Sequence, residues 1–82
     1  MTNVEKLKDL VVEVFLVDPS EFHLGLRRDE VETWDSLGVV SFAVGVQETF
    51  GYHLTQEEAL GVRSIGDVIT ILEHHGISFR EE

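Results

Sequence analysis

The spacing of apolar residues along the chain predicts a series of helices separated by loops. The apolar residues of the first segment recur at intervals of three and four positions, namely at Val4, Leu7, Val11 and Val14. This is the period of one face of an amphipathic helix. We expect the helix to run from about Val4 to Leu16 and to end before Asp18-Pro19, because the residue before a proline is driven away from helical geometry.

The second predicted helix begins near Ser36 and ends at Gly51, a residue suited to a left-handed helix cap. Its apolar residues form two adjacent faces: one consists of Val39, Phe42, Ala43, Val46 and Phe50, and the other of Leu37, Val40 and Val44. One small domain does not easily bury both faces. Two interpretations therefore stay open: a central core helix, or a helix whose second face is an exposed docking surface beside Ser36.

Two shorter helices follow, one beginning after Thr55 and stopping near Gly61, the other beginning at Ser64 and stopping near Gly76. Residues 18–35 show no sustained period and are predicted to form a long loop. Four apolar side chains are expected to hold this loop against the core: Phe22, Leu24, Leu26 and Val31.

The predicted fold is therefore all-α, a four-helix bundle with a long loop between helices one and two and a short third helix. With 82 residues, positions 1–82 are expected to form a single domain. Met1 and residues 80–82 are expected to be frayed ends.

The net charge of the chain limits the classes of molecule that it is expected to bind. The chain has 16 Asp and Glu residues against 6 Lys and Arg, a formal net charge of −10, which repels phosphate backbones and anionic membranes and attracts basic protein surfaces. Nucleic acid and membranes are therefore not expected as partners. Charges interrupt the apolar runs near the N-terminus, so neither a signal peptide nor a membrane span is predicted and a cytoplasmic location is expected. The absence of cysteine excludes thiolate chemistry by the chain itself.

Ser36 lies in the segment TWDSLGVV, where the second helix begins, and three roles are open for it. Ser36 or Asp35 is suited to cap the helix. A catalytic nucleophile is disfavoured, because no G-x-S-x-G elbow surrounds the serine and no sequence pattern ties any of the four histidines to it. Covalent attachment of a phosphate-linked group is the third role, since a helix N-terminus stabilises an anion. No metal-ligand spacing is found, so no metal site is predicted.

A longer pattern resembles the acyl carrier proteins of fatty acid, polyketide and related thioester pathways. The similarity extends to Leu72, and its strongest segments are Asp35-Ser36-Leu37, Glu48–Gly51, the TQEEA segment and Ser64–Val68. The resemblance implies that Ser36 receives a 4′-phosphopantetheine arm from coenzyme A, with Asp35 and Leu37 as its recognition neighbours. The thiol of the arm would carry acyl groups as thioesters between enzymes, so the protein itself would not be an enzyme.

The same resemblance implies how the carrier meets other proteins. The expected partners are a phosphopantetheinyl transferase and acyl-loading and acyl-processing enzymes, met by a monomeric carrier. The residues expected to contact them are Trp34, Leu37, Val40, Val44 and Glu48. A tunnel that shelters cargo is expected behind helix two.

Two departures from the family pattern indicate a specialised biosynthetic pathway. Glu48 is the only charged residue of helix two, where fatty acid carriers usually have several acidic residues, and Trp34 stands where the family commonly has glycine. Two alternatives to an acyl carrier remain. One is an aminoacyl or peptidyl carrier, and the other is an unmodified helical adaptor that docks through helix two and uses Ser36 only as a cap.

Overall fold

The computed structural model describes residues 2–79 and confirms the all-α fold. Its helices are α1 (Asn3–Phe15), α2 (Ser36–Phe50), α3 (Gln56–Gly61) and α4 (Ile65–His74). The long connection between α1 and α2 contains two short 3-10 turns, Pro19–Glu21 and Arg28–Glu30. The fraying expected of Met1 and residues 80–82 lies outside the described residues.

Each helix begins at a polar residue whose side chain accepts a hydrogen bond from a backbone amide of the first turn. The four N-caps are Thr2, Asp35, Thr55 and Ser64. Such caps satisfy amides that have no partner within the helix. The predicted helix starts are therefore confirmed to within one residue, because a cap is a local feature of the sequence.

The core lies between α1, α2 and α4, which supply all of the fully buried large side chains: Leu7, Val11, Phe15, Val46, Ile65, Val68 and Leu72. From the connection between α1 and α2, Leu26 and Val31 are buried and Phe22 is partly buried. Leu24 is about half exposed, so its predicted packing is wrong.

The connection between α1 and α2 is tied to the start of α4 by backbone hydrogen bonds. The amide of Arg28 donates to the carbonyl of Arg63 at 2.8 Å, and the amide of Ile65 donates to the carbonyl of Leu26 at 2.9 Å. These two bonds tie the segment that leads into α2 to the loop before α4 and to the first residue of α4.

Candidate functional site

Ser36 is the first residue of α2, and its side chain is exposed. Asp35 is the N-cap: its Oδ1 accepts a hydrogen bond from the amide of Gly38 at 2.9 Å. Among residues 2–79 the hydroxyl of Ser36 makes no hydrogen bond. Of the two residues that sequence left open as caps, the structure therefore uses Asp35, and the serine hydroxyl is accessible.

The segment just before α2 is held at three points. Thr33 donates its hydroxyl to the carbonyl of Phe15 at 2.6 Å. The amide of Trp34 donates to the carbonyl of Val31 at 3.1 Å, and Nε of Arg28 donates to the carbonyl of Trp34 at 3.0 Å. The start of α2 is consequently presented on a fixed backbone.

Trp34 is not part of the exposed surface. Its side chain is only 3% exposed, and its ring stacks on that of Phe15 with centroids 4.9 Å apart. The prediction that Trp34 contacts partner proteins is therefore wrong, because the indole is in the core. Its burial stabilises the loop that positions Ser36.

Gly38 also serves the fold. A Cβ atom at this position would collide with the carbonyl oxygen of Thr33 and would lie 3.1 Å from the ring of Phe15. Glycine therefore lets the loop before α2 fold closely over the first turn of the helix.

The second apolar face of α2 is exposed. Leu37, Val40 and Val44 have 80%, 61% and 51% of their surface accessible. They follow Ser36 along one side of the helix, since residues three and four apart share a face. Of the two interpretations left open by the sequence, the structure shows the exposed second face.

A groove of about 310 Å³ lies between α2 and α3, beside this face. Val40 and Val44 line its α2 side, Leu60 lines its α3 side, and His53 contributes from the loop between them. Leu60 is about half exposed and was missed by sequence reasoning. A helix of six residues is too short to show a clear apolar period, so the sequence carried little signal for it.

A second groove, of about 430 Å³, lies between α1 and α2, and three of its four charged lining residues are acidic. Asp9 and Glu13 line it from α1, and Glu48 lines it from α2, with Lys6 as its one basic lining residue. Exposed acidic groups at a groove favour approach by basic protein surfaces.

Other ionisable groups do not converge on Ser36. His53 pairs through Nδ1 with Oε1 of Gln47 at 2.8 Å, and the ring of His75 stacks on Tyr52 at 4.0 Å. Residues 2–79 contain no cluster of three or more metal-ligating side chains. Nor is any of the described helices long and apolar enough to cross a bilayer.

One hydrogen bond that shifts two pKa values joins the loop before α3 to α3 itself. The hydroxyl of Tyr52 donates to Oε1 of Glu58 at 2.6 Å. This hydrogen bond raises the pKa of Tyr52 and lowers the pKa of Glu58. Because both groups keep their usual charge at neutral pH, the pair serves the packing of α3 and provides no acid or base for chemistry.

Comparison with known proteins gives a consistent result. No protein-family model matches the chain. An acyl carrier protein from Clostridium acetobutylicum is 30% identical over 71 residues, covering 87% of this chain and 92% of that protein. One from Campylobacter hominis is 34% identical over 70 residues, covering 85% and 89% of the two chains. One from Helicobacter hepaticus is 33% identical over 73 residues, covering 89% and 96%.

Proposed function

Because the chain belongs to the acyl carrier protein family and is a carrier, not an enzyme, we propose that Ser36 bears a 4′-phosphopantetheine arm taken from coenzyme A. The observation that carries the proposal is the exposed, unbonded hydroxyl of Ser36 at the N-terminus of α2. Asp35 and Leu37 flank it as recognition residues. Residues 1–82 form a single acyl carrier domain in this proposal.

The residues around Ser36 fit a phosphodiester. The backbone amides of Ser36 and Leu37 donate no hydrogen bond within residues 2–79, and they lie at the positive end of the α2 dipole. Both features favour a negative charge on the serine oxygen. Asp35 disfavours a free anion at this position, and the covalent bond that the transferase makes overcomes this repulsion.

The arm is attached by transfer of a phosphoryl group to the serine hydroxyl. Oγ of Ser36 forms a bond to the phosphorus next to pantetheine, and the bond from that phosphorus to the bridging pyrophosphate oxygen breaks. Adenosine 3′,5′-bisphosphate leaves, and a base on the transferase takes the hydroxyl proton. Once attached, the arm supplies a thiol that this cysteine-free chain lacks, and that thiol carries the acyl group as a thioester.

Partner enzymes dock on the exposed face of α2. Leu37, Val40 and Val44 provide apolar contact, and Glu48 adds one acidic contact at the groove between α1 and α2. Few charges on α2 make the contact mainly apolar, which suits enzymes of a specialised pathway of the fatty acid or polyketide type. The partners are a phosphopantetheinyl transferase and acyl-loading and acyl-processing enzymes, met by a monomeric cytoplasmic carrier.

Intact-mass measurement tests the attachment. The protein is incubated with coenzyme A and a broad-specificity phosphopantetheinyl transferase, and the wild type is expected to gain the mass of one arm. Ser36→Ala is expected to gain none, although it stays folded because Asp35 supplies the cap. Ser41→Ala, an exposed serine on the same helix, is the matched control and is expected to be modified.

An unmodified wild type, under conditions that modify a known carrier, would contradict the proposal. Modification of Ser36→Ala would place the arm elsewhere. Loading of the modified protein by acyl-activating and by aminoacyl-activating enzymes then decides between an acyl carrier and an aminoacyl or peptidyl carrier.

A further inference from the structure

Three aromatic rings fill the interior beneath the first turns of α2. The ring of Phe15 lies 4.9 Å from that of Trp34 and 5.3 Å from that of Phe42, and the rings of Trp34 and Phe42 are 6.3 Å apart. All three side chains are at most 3% exposed. The indole is therefore an integral part of the core on this side of the bundle.

The enclosed space beneath α2, on the core side of the open groove between α2 and α3, is too small for cargo. It is enclosed by Trp34 and Phe42 together with Val39, Leu54, Ala59 and Val62, and it does not admit a water-sized molecule. A methylene group is no smaller than water, so an acyl chain does not fit without displacing one of these side chains. The tunnel expected behind helix two is thus closed in this structure.

Hydrogen bonds and ring stacking hold Trp34 in its buried position. Its amide and its carbonyl are both hydrogen bonded, to Val31 and to Arg28 respectively, so the backbone is fixed on both sides of the ring. Thr33, the preceding residue, is bound to the end of α1 through the carbonyl of Phe15. Opening the interior would require these bonds or the ring stack to break.

We propose that Trp34 is a plug that excludes acyl chains from the interior, so that this carrier does not shelter its cargo. The inference rests on attachment at Ser36. Acyl chains on the arm stay out of the interior whatever their length, and in the open groove between α2 and α3 or beyond it small nucleophiles still reach the thioester. Replacing the indole by a smaller side chain creates the missing space and makes protection depend on chain length.

The experiment compares thioesters of different length on one protein. Butanoyl, octanoyl and dodecanoyl arms are transferred from the corresponding acyl-coenzyme A to wild type, Trp34→Leu and Trp34→Phe, and intact mass confirms each loading. The rate of thioester cleavage by hydroxylamine is then measured, together with the urea midpoint. Phe79→Leu is the control, because it removes a core ring that pairs with Phe50, at the far end of α2.

In the wild type and in Phe79→Leu, the cleavage rate is expected to agree among the three chains within about twofold. In Trp34→Leu, dodecanoyl is expected to be cleaved about tenfold more slowly than butanoyl, because burial of each methylene favours the enclosed state. The urea midpoint of Trp34→Leu is expected to rise with chain length, whereas that of the wild type stays constant.

If cleavage of the wild-type thioester becomes slower as the acyl chain becomes longer, the proposal that Trp34 is a plug is overturned. A folded Trp34→Leu whose cleavage rates stay independent of length would overturn it as well. If Trp34→Leu does not fold, the smaller truncation Trp34→Phe decides by the same criterion with a smaller expected difference. A wild type that gains no mass would overturn attachment at Ser36 and the plug with it, so the two failures are distinguished before any rate is measured.

Discussion

α1 and α2 are similar in length and pack against each other, but they use apolar residues differently. α1 concentrates its buried residues on one stripe consisting of Leu7, Val11 and Phe15. α2 is apolar in nearly every direction, and it leaves Leu37, Val40 and Val44 exposed. The apolar residues of α1 are thus explained by folding alone, whereas part of the apolar surface of α2 is in excess of what the core requires and is available to other molecules.

The two helices also differ in how closely they let other groups approach. A Cβ atom at Gly45 of α2 would collide with the end of the Leu10 side chain of α1, and one at Gly38 would collide with the backbone at Thr33. Both glycines that weaken α2 as an isolated helix therefore allow close packing within this chain.

Replacing one leucine on each helix gives the largest expected difference. Leu7 of α1 is fully buried and Leu37 of α2 is 80% exposed. Leu7→Ala is expected to lower the free energy of unfolding by about 2–5 kcal/mol, because it leaves a cavity. Leu37→Ala is expected to change it by less than about 0.5 kcal/mol. Urea denaturation followed by circular dichroism measures both.

The same two variants distinguish an effect on folding from an effect on docking. Leu37→Ala is expected to reduce the rate of modification by the transferase while leaving the unfolding curve unchanged. Equal destabilisation by the two variants would contradict the division of α2 into a buried and an exposed face.

Replacing the glycines of α2 by alanine gives the next largest expected effect on stability. Gly38→Ala is expected to destabilise the fold by about 1–3 kcal/mol, because the new methyl meets a backbone oxygen on a segment already held by hydrogen bonds. Gly45→Ala is expected to cost less, since the tip of the Leu10 side chain can rotate away. Gly61→Ala on α3, where no atom lies within 4 Å of the new methyl, is the control. Thermal unfolding that is identical for Gly38→Ala and Gly61→Ala would show that Gly38 is not needed for packing.

Local features of the chain were predictable and nonlocal ones were not. Helix starts followed from caps such as Thr55 and Ser64, because the cap and the amide that it satisfies lie within three residues. The two faces of α2 also followed from the helical period. Which face is buried did not, because that depends on where α1 lies. The role of Ser36 stays a prediction from the resemblance, supported by its exposure.

Trp34 shows why part of the candidate site was mispredicted. A single aromatic residue in a loop has no periodicity from which to assign a face. Its burial depends on Phe15 and Phe42, which come from two different helices. The short turn Arg28–Glu30 was missed for a different reason: the hydrogen bonds that form it are local, but three residues are too few to show a period.

The C-terminal ends of the two helices offer a smaller and opposite pair of effects. Both end in a left-handed residue, but α2 has Gly51 at a φ of 78° and α1 has Leu16 at a φ of 57°. Leu16→Gly is expected to stabilise the fold by about 1 kcal/mol, because an exposed leucine in this conformation is strained and packs on little. Gly51→Ala is expected to destabilise it by about the same amount. Urea midpoints that shift in the same direction would contradict this account of the caps.

The N-terminal ends of α1 and α2 give the smallest expected effect, which is visible only in how the urea midpoint depends on pH. In α1 the amide and hydroxyl of Thr2 donate to Oε1 of Glu5, and the backbone hydrogen bond is the main cause of a lowered pKa of Glu5. The first turn of α2 has no acidic residue. Because the pKa of Glu5 in the folded state lies below its usual 4.5, its contribution to stability is complete above pH 4.5 and is lost as the pH falls through the folded value.

Glu5→Gln is therefore expected to make the urea midpoint depend less steeply on pH below 4.5. The slope does not vanish, because Glu58 also has a lowered pKa through its bond from Tyr52. Glu32→Gln is the control for the loss of one exposed carboxylate, since the side chain of Glu32 makes no hydrogen bond among residues 2–79. Equal slopes for Glu5→Gln and Glu32→Gln would contradict this account. They would show that the Glu5 side chain in the capping box of α1 adds no pH-dependent stability.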